Sequence, residues 1–378
     1  MIFLWLLVLV PISLSLEYLF HAPAIWVFGA AVLAIVPLAE WIRRATENVG
    51  ERAGSAIGGL LNVTFGNVAE LILAIFVLLA GRQAVVKAQI TGSIIGNGLL
   101  GLGLAVLAGS WGRTEQRFNR ERVSLLSNLL LISVIALLVP ALFDYTERAS
   151  LPPLHARLQD ERFSLGAAVI LILVYVGNLV LTLVTHRDVY SMDEAKPDGS
   201  PPVAAPAGGG HAGSGAREPW PMRRSLAVLV AGTAAIAWES ELVAGALEST
   251  AESLGITTFF LGVTVLAVIG NAAEYIAAIF YARRDDMSTA MAVTVGSSIQ
   301  VALFAAPVLV LVSFFIGHPM NLVFDNAIEL IAVASTAFIV RSVAQDGTTN
   351  WFEGALLVAT YLLLGLAFFY VVPPPGAG

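Results

Sequence analysis

The chain contains one peptide twice. The segments GNVAELILAIF (66–76) and GNAAEYIAAIF (270–280) are identical at eight of eleven positions and lie 204 residues apart. Each copy places a glutamate, Glu70 or Glu274, inside an apolar run. A carboxylate at the middle of a bilayer costs at least about 2.5 to 3.5 kcal/mol on insertion scales, so such acids are usually retained to bind ions or protons. The duplicated glutamates therefore predict one shared site.

Composition places most of this chain in a membrane. It is 57% hydrophobic and only 12% charged, with a mean hydropathy of +0.82. Apolar runs of about 20 residues are long enough to cross a bilayer core. Eleven such runs are found, at 2–19, 24–41, 57–80, 88–107, 123–143, 164–185, 225–247, 258–281, 290–315, 322–340 and 351–372. The first run lacks a basic start and a small-residue cleavage site, so we interpret it as a retained helix rather than a signal peptide.

The repeat extends well beyond the duplicated peptide. Gly92 and Ser93 have Gly296 and Ser297 as counterparts at the same offset. We therefore predict an all-α integral membrane protein with about eleven transmembrane helices: one extra N-terminal helix and two inverted five-helix repeats, because an odd number of crossings reverses the second copy. The predicted units are an N-terminal helix (1–22), a first repeat (23–186), a disordered cytoplasmic linker rich in Pro and Gly (187–224) and a second repeat (225–373).

Charge distribution predicts the orientation. Alternating loops place 15 of the 20 Lys and Arg residues on the side of the amino terminus, which is the cytoplasmic side under the positive-inside rule. The carboxyl terminus is then outside, and we expect a multi-pass protein of the bacterial inner (plasma) membrane. The formal net charge of -7 is modest and argues against nucleic acid as a partner. The expected partners are the lipid bilayer and transported ions, and the sequence leaves open whether the chain forms a homo-oligomer.

The candidate ligands cluster on the predicted third, fourth, eighth and ninth helices. An asparagine precedes each repeated glutamate by three residues, so amide and carboxylate share a helix face. A glycine before each asparagine can loosen the helix and free backbone carbonyls. Together with the polar residues of the following helices, the predicted metal-site residues are Gly66, Asn67, Glu70, Ser93, Asn97, Gly270, Asn271, Glu274, Ser297 and Gln300.

These ligands are oxygen atoms, which favours a hard divalent cation. Calcium takes six to eight oxygen ligands and tolerates irregular geometry, whereas magnesium dehydrates reluctantly and zinc prefers nitrogen or sulfur. Manganese fits the same oxygens. Without the metal, two carboxylates in a low dielectric repel each other and favour protonation. The sequence therefore predicts a site loaded alternately with a cation or with protons, with no cofactor beyond transported Ca²⁺ and H⁺.

Three further acids are candidates for a proton pathway. Glu40 and Glu241, near the predicted helix ends, either carry protons or are interfacial acids that reach water. Glu329, on the predicted tenth helix, either joins the proton path or pairs structurally with another helix.

The repeated motifs resemble a known family. GNVAEL and GNAAEY, each followed by a GSII or GSSI segment, are similar to the signature repeats of the calcium/proton exchangers, the CAX branch of the calcium/cation antiporter superfamily. EQRFNR (115–120) and the closing stretch (346–369) resemble that branch too. The resemblance implies cation efflux against an inward proton gradient, with Glu70 and Glu274 as cation-binding glutamates. The chain departs from the family pattern at Tyr275, where histidine is common, and in a linker with few acids.

Three other functions are weighed against a calcium/proton antiporter. Sodium/calcium exchange belongs to a branch with a similar fold but different signature residues. A passive cation channel would conduct without coupling to protons. An enzyme is disfavoured because the chain shows no constellation of nucleophile and base.

Overall fold

The chain folds into a helical bundle. The computed structural model describes residues 5–53, 65–147, 153–181, 220–324 and 326–371. Helices α1 to α12 in these residues are Leu9–Tyr18, Ala24–Ala53, Val68–Leu79, Gln83–Gly109, Arg120–Glu147, Pro153–Val180, Met222–Leu254, Thr258–Gly270, Ala272–Arg283, Met287–Phe315, Ala327–Val343 and Trp351–Phe369. Two short strands, β1 (Gln116–Arg117) and β2 (Thr348–Thr349), pair antiparallel. Nearly all of the predicted linker lies outside the described residues.

Several helices are long and apolar enough to cross a membrane. Seven of those described, α2, α4, α5, α6, α7, α10 and α12, meet this test by length and composition. The pair formed by α8 and α9 is an eighth candidate, bent by 53° at its break. Helices α1 and α3 are apolar but shorter. The chain is therefore a mostly helical, multi-pass membrane protein, and the number of eleven crossings stays a prediction.

Several helix boundaries differ from those predicted. Helix α2 continues to Ala53 and α7 to Leu254, so Glu40 and Glu241 do not lie near helix ends as predicted. Hydropathy detects only the apolar part of a helix, whereas charged residues with good helix propensity extend it. Helix α11 begins at Ala327, later than predicted, because the Asn326 side chain caps it by accepting a hydrogen bond from the amide of Ile328.

Both copies of the duplicated peptide break a helix at the same residue. Helix α3 begins after Asn67, whose φ and ψ are -101° and 16°, and α9 begins after Asn271, with -101° and 9°. Each glutamate consequently lies in the first turn of a helix. The predicted eighth span is therefore two helices, α8 and α9, rather than a continuous one.

Wider π-helical turns interrupt three of the described helices. They cover Gly96–Gly101 in α4, Leu261–Leu266 in α8 and Val301–Ala305 in α10. The turns in α4 and α10 are related by the 204-residue offset to within one residue. Such turns disturb the regular hydrogen-bond ladder and are frequent at functional sites.

Glycines allow other helices to approach α4 closely. A side chain at Gly92 would collide with the carbonyl oxygen of Val263 in α8, and its Cβ would lie 2.7 Å from the Cβ of Ala267. Further along α4, a Cβ at Gly103 would lie 3.0 Å from the carbonyl oxygen of Gly354 in α12. The glycine-rich run of α4 is therefore a packing surface, as small residues commonly are in membrane bundles.

The two strands join loops that are distant in sequence. Gln116 pairs with Thr349 and Arg117 with Thr348, so the EQRFNR segment contacts the start of the closing stretch. The side-chain amide of Gln116 also donates a 3.1 Å hydrogen bond to the carbonyl of Ala282, near the end of α9. This contact fixes the end of the helix that carries Glu274.

We predict that Gly92→Ala destabilises the fold and that its repeat counterpart, Gly296→Ala, does not. The added methyl group at position 92 must displace the α8 backbone, and overpacking of this kind typically costs about 1 to 3 kcal/mol. At Gly296 nothing lies within 4 Å of an added Cβ. Thermal unfolding midpoints of the two variants in detergent measure the difference. Equal midpoints would show that the crossing of α4 and α8 is not tightly packed.

Candidate functional site

The candidate site lies where the two helix breaks meet α4 and α10. Glu70 and Glu274 are 5% and 9% exposed. Each is the third residue after the asparagine that precedes its helix, so each carboxylate lies at a helix amino terminus. The partial positive charge of a helix amino terminus stabilises an anion there. This local geometry is one reason why an acid is tolerated in an apolar interior.

Glu70 is held by groups from both repeats. Its Oε1 accepts a hydrogen bond from the Ser93 hydroxyl of α4 and one of 2.6 Å from the Asn271 amide at the start of α9. The Glu70 side chain also crosses the backbone at Gly270, where an added Cβ would lie 2.7 Å from Glu70 Cγ. Gly270 is therefore required for the close approach of Glu70. At Gly66, its counterpart, the nearest atom to an added Cβ is 3.9 Å away.

Amide side chains link the repeats in a reciprocal way. Asn97 of α4 donates a 2.9 Å hydrogen bond to the Oδ1 of Asn271. Asn67, at the other break, donates a 2.6 Å hydrogen bond to the Oε1 of Gln300 in α10. Each break residue is thus bonded to the region of the π-helical turn in the opposite repeat, since Asn97 lies within one turn and Gln300 directly precedes the other.

Glu274 lies four residues after Gly270, whose backbone contacts the Glu70 side chain, so both carboxylates belong to one buried region. One side-chain oxygen of each glutamate, Oε2, is buried without a hydrogen-bond partner in the described part of the chain. Asn97 Oδ1 and Gln89 Oε1 are also buried without a hydrogen-bond partner in this part of the chain. The side-chain amide of Gln89 donates a 3.3 Å hydrogen bond to the backbone carbonyl of Glu70. Buried polar atoms are normally bonded, so unsatisfied acceptors gathered here indicate a place for a cation or a proton.

The donor set fits an oxygen-bound cation better than a zinc-type ion. In the residues described, no group of three or more His, Cys, Asp and Glu is placed to hold a metal. A cation here would rely on two carboxylates completed by neutral amide, hydroxyl or backbone oxygens. Calcium accepts such a mixed shell.

A narrow, partly open pocket lies beside Glu70. Helices α3, α4 and α10 form its walls. Its lining residues are Glu70, Leu71, Ala74, Gln89, Ile90, Ser93, Val301, Ala305 and Leu309. The pocket leaves open space beside the Glu70 carboxylate, between mostly apolar side chains.

The three proposed proton carriers have different surroundings. Glu40 is 4% exposed and is ion-paired with Arg43, at 2.8 Å, and with Arg44, at 2.6 Å. Glu241 is exposed on α7. Glu329 is 1% exposed and accepts a 2.9 Å hydrogen bond from the Thr91 hydroxyl of α4. Burial of Glu40 contradicts the interpretation of this residue as an interfacial acid that reaches water, and its ion pairs indicate a structural role instead.

The structure thus joins Glu70, Ser93, Asn97 and Asn271 in one network and sets Asn67 and Gln300 as a separate pair. Ser297, the counterpart of Ser93, is 8% exposed on α10.

Sequence reasoning missed two polar residues. Gln89 lines the pocket, but its repeat counterpart is Val293, so the duplication does not mark it. Glu239 of α7 is fully buried and accepts a 2.7 Å hydrogen bond from the Ser13 hydroxyl of α1. Its position inside an apolar run was the signal that could have found it.

Comparison with known proteins identifies the family. The model of the sodium/calcium exchanger protein family matches residues 23–184 and 224–370. The Ca²⁺/H⁺ antiporter of Aphanothece halophytica is 41% identical over 99% of this chain and 98% of its own length. The Ca²⁺/H⁺ antiporter ChaA of Bacillus subtilis strain 168 is 36% identical over 95% of this chain and 96% of its own.

A solved structure agrees with these relatives. The structure described as native YfkE superposes with a TM-score of 0.79 at 32% identity, covering 98% of this chain and all of the other. The matches extend over both halves of the chain, including both copies of the GNxAE peptide. The chain therefore belongs to the sodium/calcium exchanger protein family, in the calcium/proton exchanger branch that its repeated motifs resemble.

Proposed function

We propose that this chain is a calcium/proton antiporter, a secondary transporter and not an enzyme. The observation that carries the proposal is the pair of buried glutamates, one from each helix break, with an unpartnered oxygen on each. Relatives that match nearly the whole chain are named Ca²⁺/H⁺ antiporters, which supports the same conclusion. No cofactor is part of the mechanism, since Ca²⁺ and H⁺ are the transported substrates.

Antiport follows from competition for the same oxygens. A divalent cation cancels the charge of Glu70 and Glu274, so both can stay ionised while it is bound. When it leaves, their repulsion and the loss of water around them favour protonation. Protons and the cation therefore exclude each other from the site. Because the site is unfavourable when it is empty and charged, release of the cation is coupled to uptake of protons, and the reverse.

The ligands that we propose extend beyond the two carboxylates. Asn97 and Ser93 contribute from α4, and Ser297 and Gln300 from α10. The breaks contribute Asn67, Asn271 and the backbone at Gly66 and Gly270. Gln300 is bonded to Asn67 in this conformation, so its contribution requires that pair to separate. Protons reach the site along acids of which Glu329 is the strongest candidate, because it is buried on the α11 side of α4.

The proposed architecture is the one expected from the repeat. It comprises an N-terminal helix (1–22), two inverted five-helix repeats (23–186 and 225–373) and a cytoplasmic linker (187–224), with eleven crossings in all. The matching breaks at Asn67 and Asn271 and the matching π-helical turns of α4 and α10 support a pseudo-two-fold relation. The amino terminus is cytoplasmic and the carboxyl terminus outside, in the bacterial inner membrane.

We expect Glu70→Gln and Glu274→Gln each to reduce calcium uptake to the level of empty vesicles. An amide cannot balance the charge of calcium or release a proton, although it keeps the shape of the side chain. Uptake into everted vesicles with an imposed pH gradient measures the effect, with and without a protonophore. Glu252→Gln, an exposed acid of α7, is the matched control and should transport normally. Transport retained by either site variant would eliminate the proposed mechanism.

We also expect the affinity for calcium to rise with pH. Calcium and protons compete for the same carboxylates, so binding must release protons, and raising the pH removes the competitor. Calorimetry of purified protein in buffers of different ionisation enthalpy counts the protons released. Glu274→Gln should release fewer protons and show a weaker dependence on pH. Binding that is independent of pH would separate calcium recognition from proton binding.

Proteoliposomes distinguish proton from sodium coupling. Calcium uptake should follow an imposed pH gradient and should not respond to a sodium gradient at constant pH. Sodium-driven uptake would assign the chain to sodium/calcium exchange, and uptake without either gradient to a passive channel.

A further inference from the structure

The two repeats differ at the residue after each glutamate. Leu71 follows Glu70 in α3, whereas Tyr275 follows Glu274 in α9. Leu71 is one wall of the pocket beside Glu70. The equivalent space beside Glu274 is therefore bounded by Tyr275.

The opposite wall also differs between the repeats. Ala305 of α10 lines the pocket across from Leu71. The 204-residue offset relates Ala305 to Gly101 of α4. An added Cβ at Gly101 would lie 2.5 Å from Cδ1 and 2.7 Å from Cε1 of the Tyr275 ring. The pocket beside Glu70 thus lies between Leu71 and Ala305, whereas the equivalent positions near Glu274 are Tyr275 and Gly101.

The Tyr275 ring packs against the part of α4 that corresponds to the α10 wall of the pocket in the first repeat. The ring lies on Gly101, and its hydroxyl lies over Gly96, where an added Cβ would collide with it. Both glycines belong to the π-helical turn of α4. Tyr275 is 5% exposed, and its hydroxyl is buried without a hydrogen-bond partner in the described residues. No polar contact in that part of the chain therefore requires a tyrosine, and the ring acts through its volume.

We propose that Tyr275 is a plug that closes the route to Glu274 equivalent to the pocket beside Glu70. This inference rests on the proposed function and on the inverted relation of the repeats, which directs the two routes towards opposite faces of the membrane. Access to Glu274 from its own side then requires the ring to leave Gly96 and Gly101. Tyr275 is accordingly a gating residue of the exchange site rather than a ligand of the cation.

Engineered cysteines test the plug directly, since the chain has no cysteine of its own. Ala74, a pocket residue, and Ala278 are equivalent positions in α3 and α9, and both are buried. We expect Ala74→Cys to react with a small cationic methanethiosulfonate, and Ala278→Cys to resist it in vesicles of either orientation. Adding Tyr275→Leu should accelerate the modification of Ala278→Cys by about tenfold or more, which corresponds to about 1.4 kcal/mol of barrier. Tyr275→Phe, which keeps the ring, should leave Ala278→Cys protected.

A reciprocal pair of substitutions in the first repeat keeps the test decisive if Tyr275→Leu fails to fold. Leu71→Tyr combined with Ala305→Gly recreates the Tyr and Gly pair in the first repeat. This double variant should slow the modification of Ala74→Cys by about tenfold. Size-exclusion chromatography identifies the folded variants, and labelling rates are compared only among these.

The proposal is overturned if Ala278→Cys reacts as fast as Ala74→Cys with Tyr275 in place, or if neither exchange of side chains changes the rates. It is also overturned if Ala74→Cys is unreactive, because the first pocket would then give no access. The labelling is carried out without calcium and without a pH gradient. It therefore reports on the plug even if the chain does not exchange calcium for protons, whereas the vesicle uptake assay tests that function separately.

Discussion

The burial of two interacting carboxylates is the constraint on which the rest of the structure depends. Glu70 and Glu274 are almost fully removed from solvent, in a chain whose interior is mostly apolar. Arg43 and Arg44 of α2 are ion-paired with acids of their own helix, and no ion pair to Glu70 or Glu274 occurs among the described residues. A bound cation or protons can therefore supply the charge balance at the site. A site cannot both be stable when empty and ionised and hold a cation tightly. Exchange requires that the empty, ionised site be unstable.

The breaks in the helices answer this constraint locally. Each break places a glutamate in a first helical turn, where the backbone amides favour an anion. The asparagine at each break bonds across to the opposite repeat, through Asn97 in one case and Gln300 in the other. These bonds join the two repeats at the site itself. A movement of one repeat relative to the other must break these hydrogen bonds and form others. The geometry around the cation is therefore linked to the relative position of the repeats.

Much of the site was readable from the sequence because duplication marks it. Glu70, Asn271, Ser93 and Asn97 were expected together, and the structure brings them into one network. Gln89 was missed because its counterpart in the other repeat is Val293, so the duplication does not mark it. Helix ends were also misplaced, because hydropathy reports the apolar thickness of a helix and not its full length. π-helical turns depend on tertiary packing and leave no periodic signal.

Packing around α4 shows why the two copies cannot be interchangeable. The helix needs glycine wherever a neighbour approaches closely, at Gly92 for α8 and at Gly101 for the Tyr275 ring. In α10, the position equivalent to Gly101 is Ala305, and it faces the smaller Leu71 across the pocket. The first repeat has Leu and Ala where the second has Tyr and Gly, which shifts side-chain volume from one wall to the other. Under the plug proposal, this difference closes the route beside Glu274 and leaves the pocket beside Glu70. Copies with the same pair of residues would leave equivalent pockets beside both glutamates, and packing alone would no longer separate the two routes to the site.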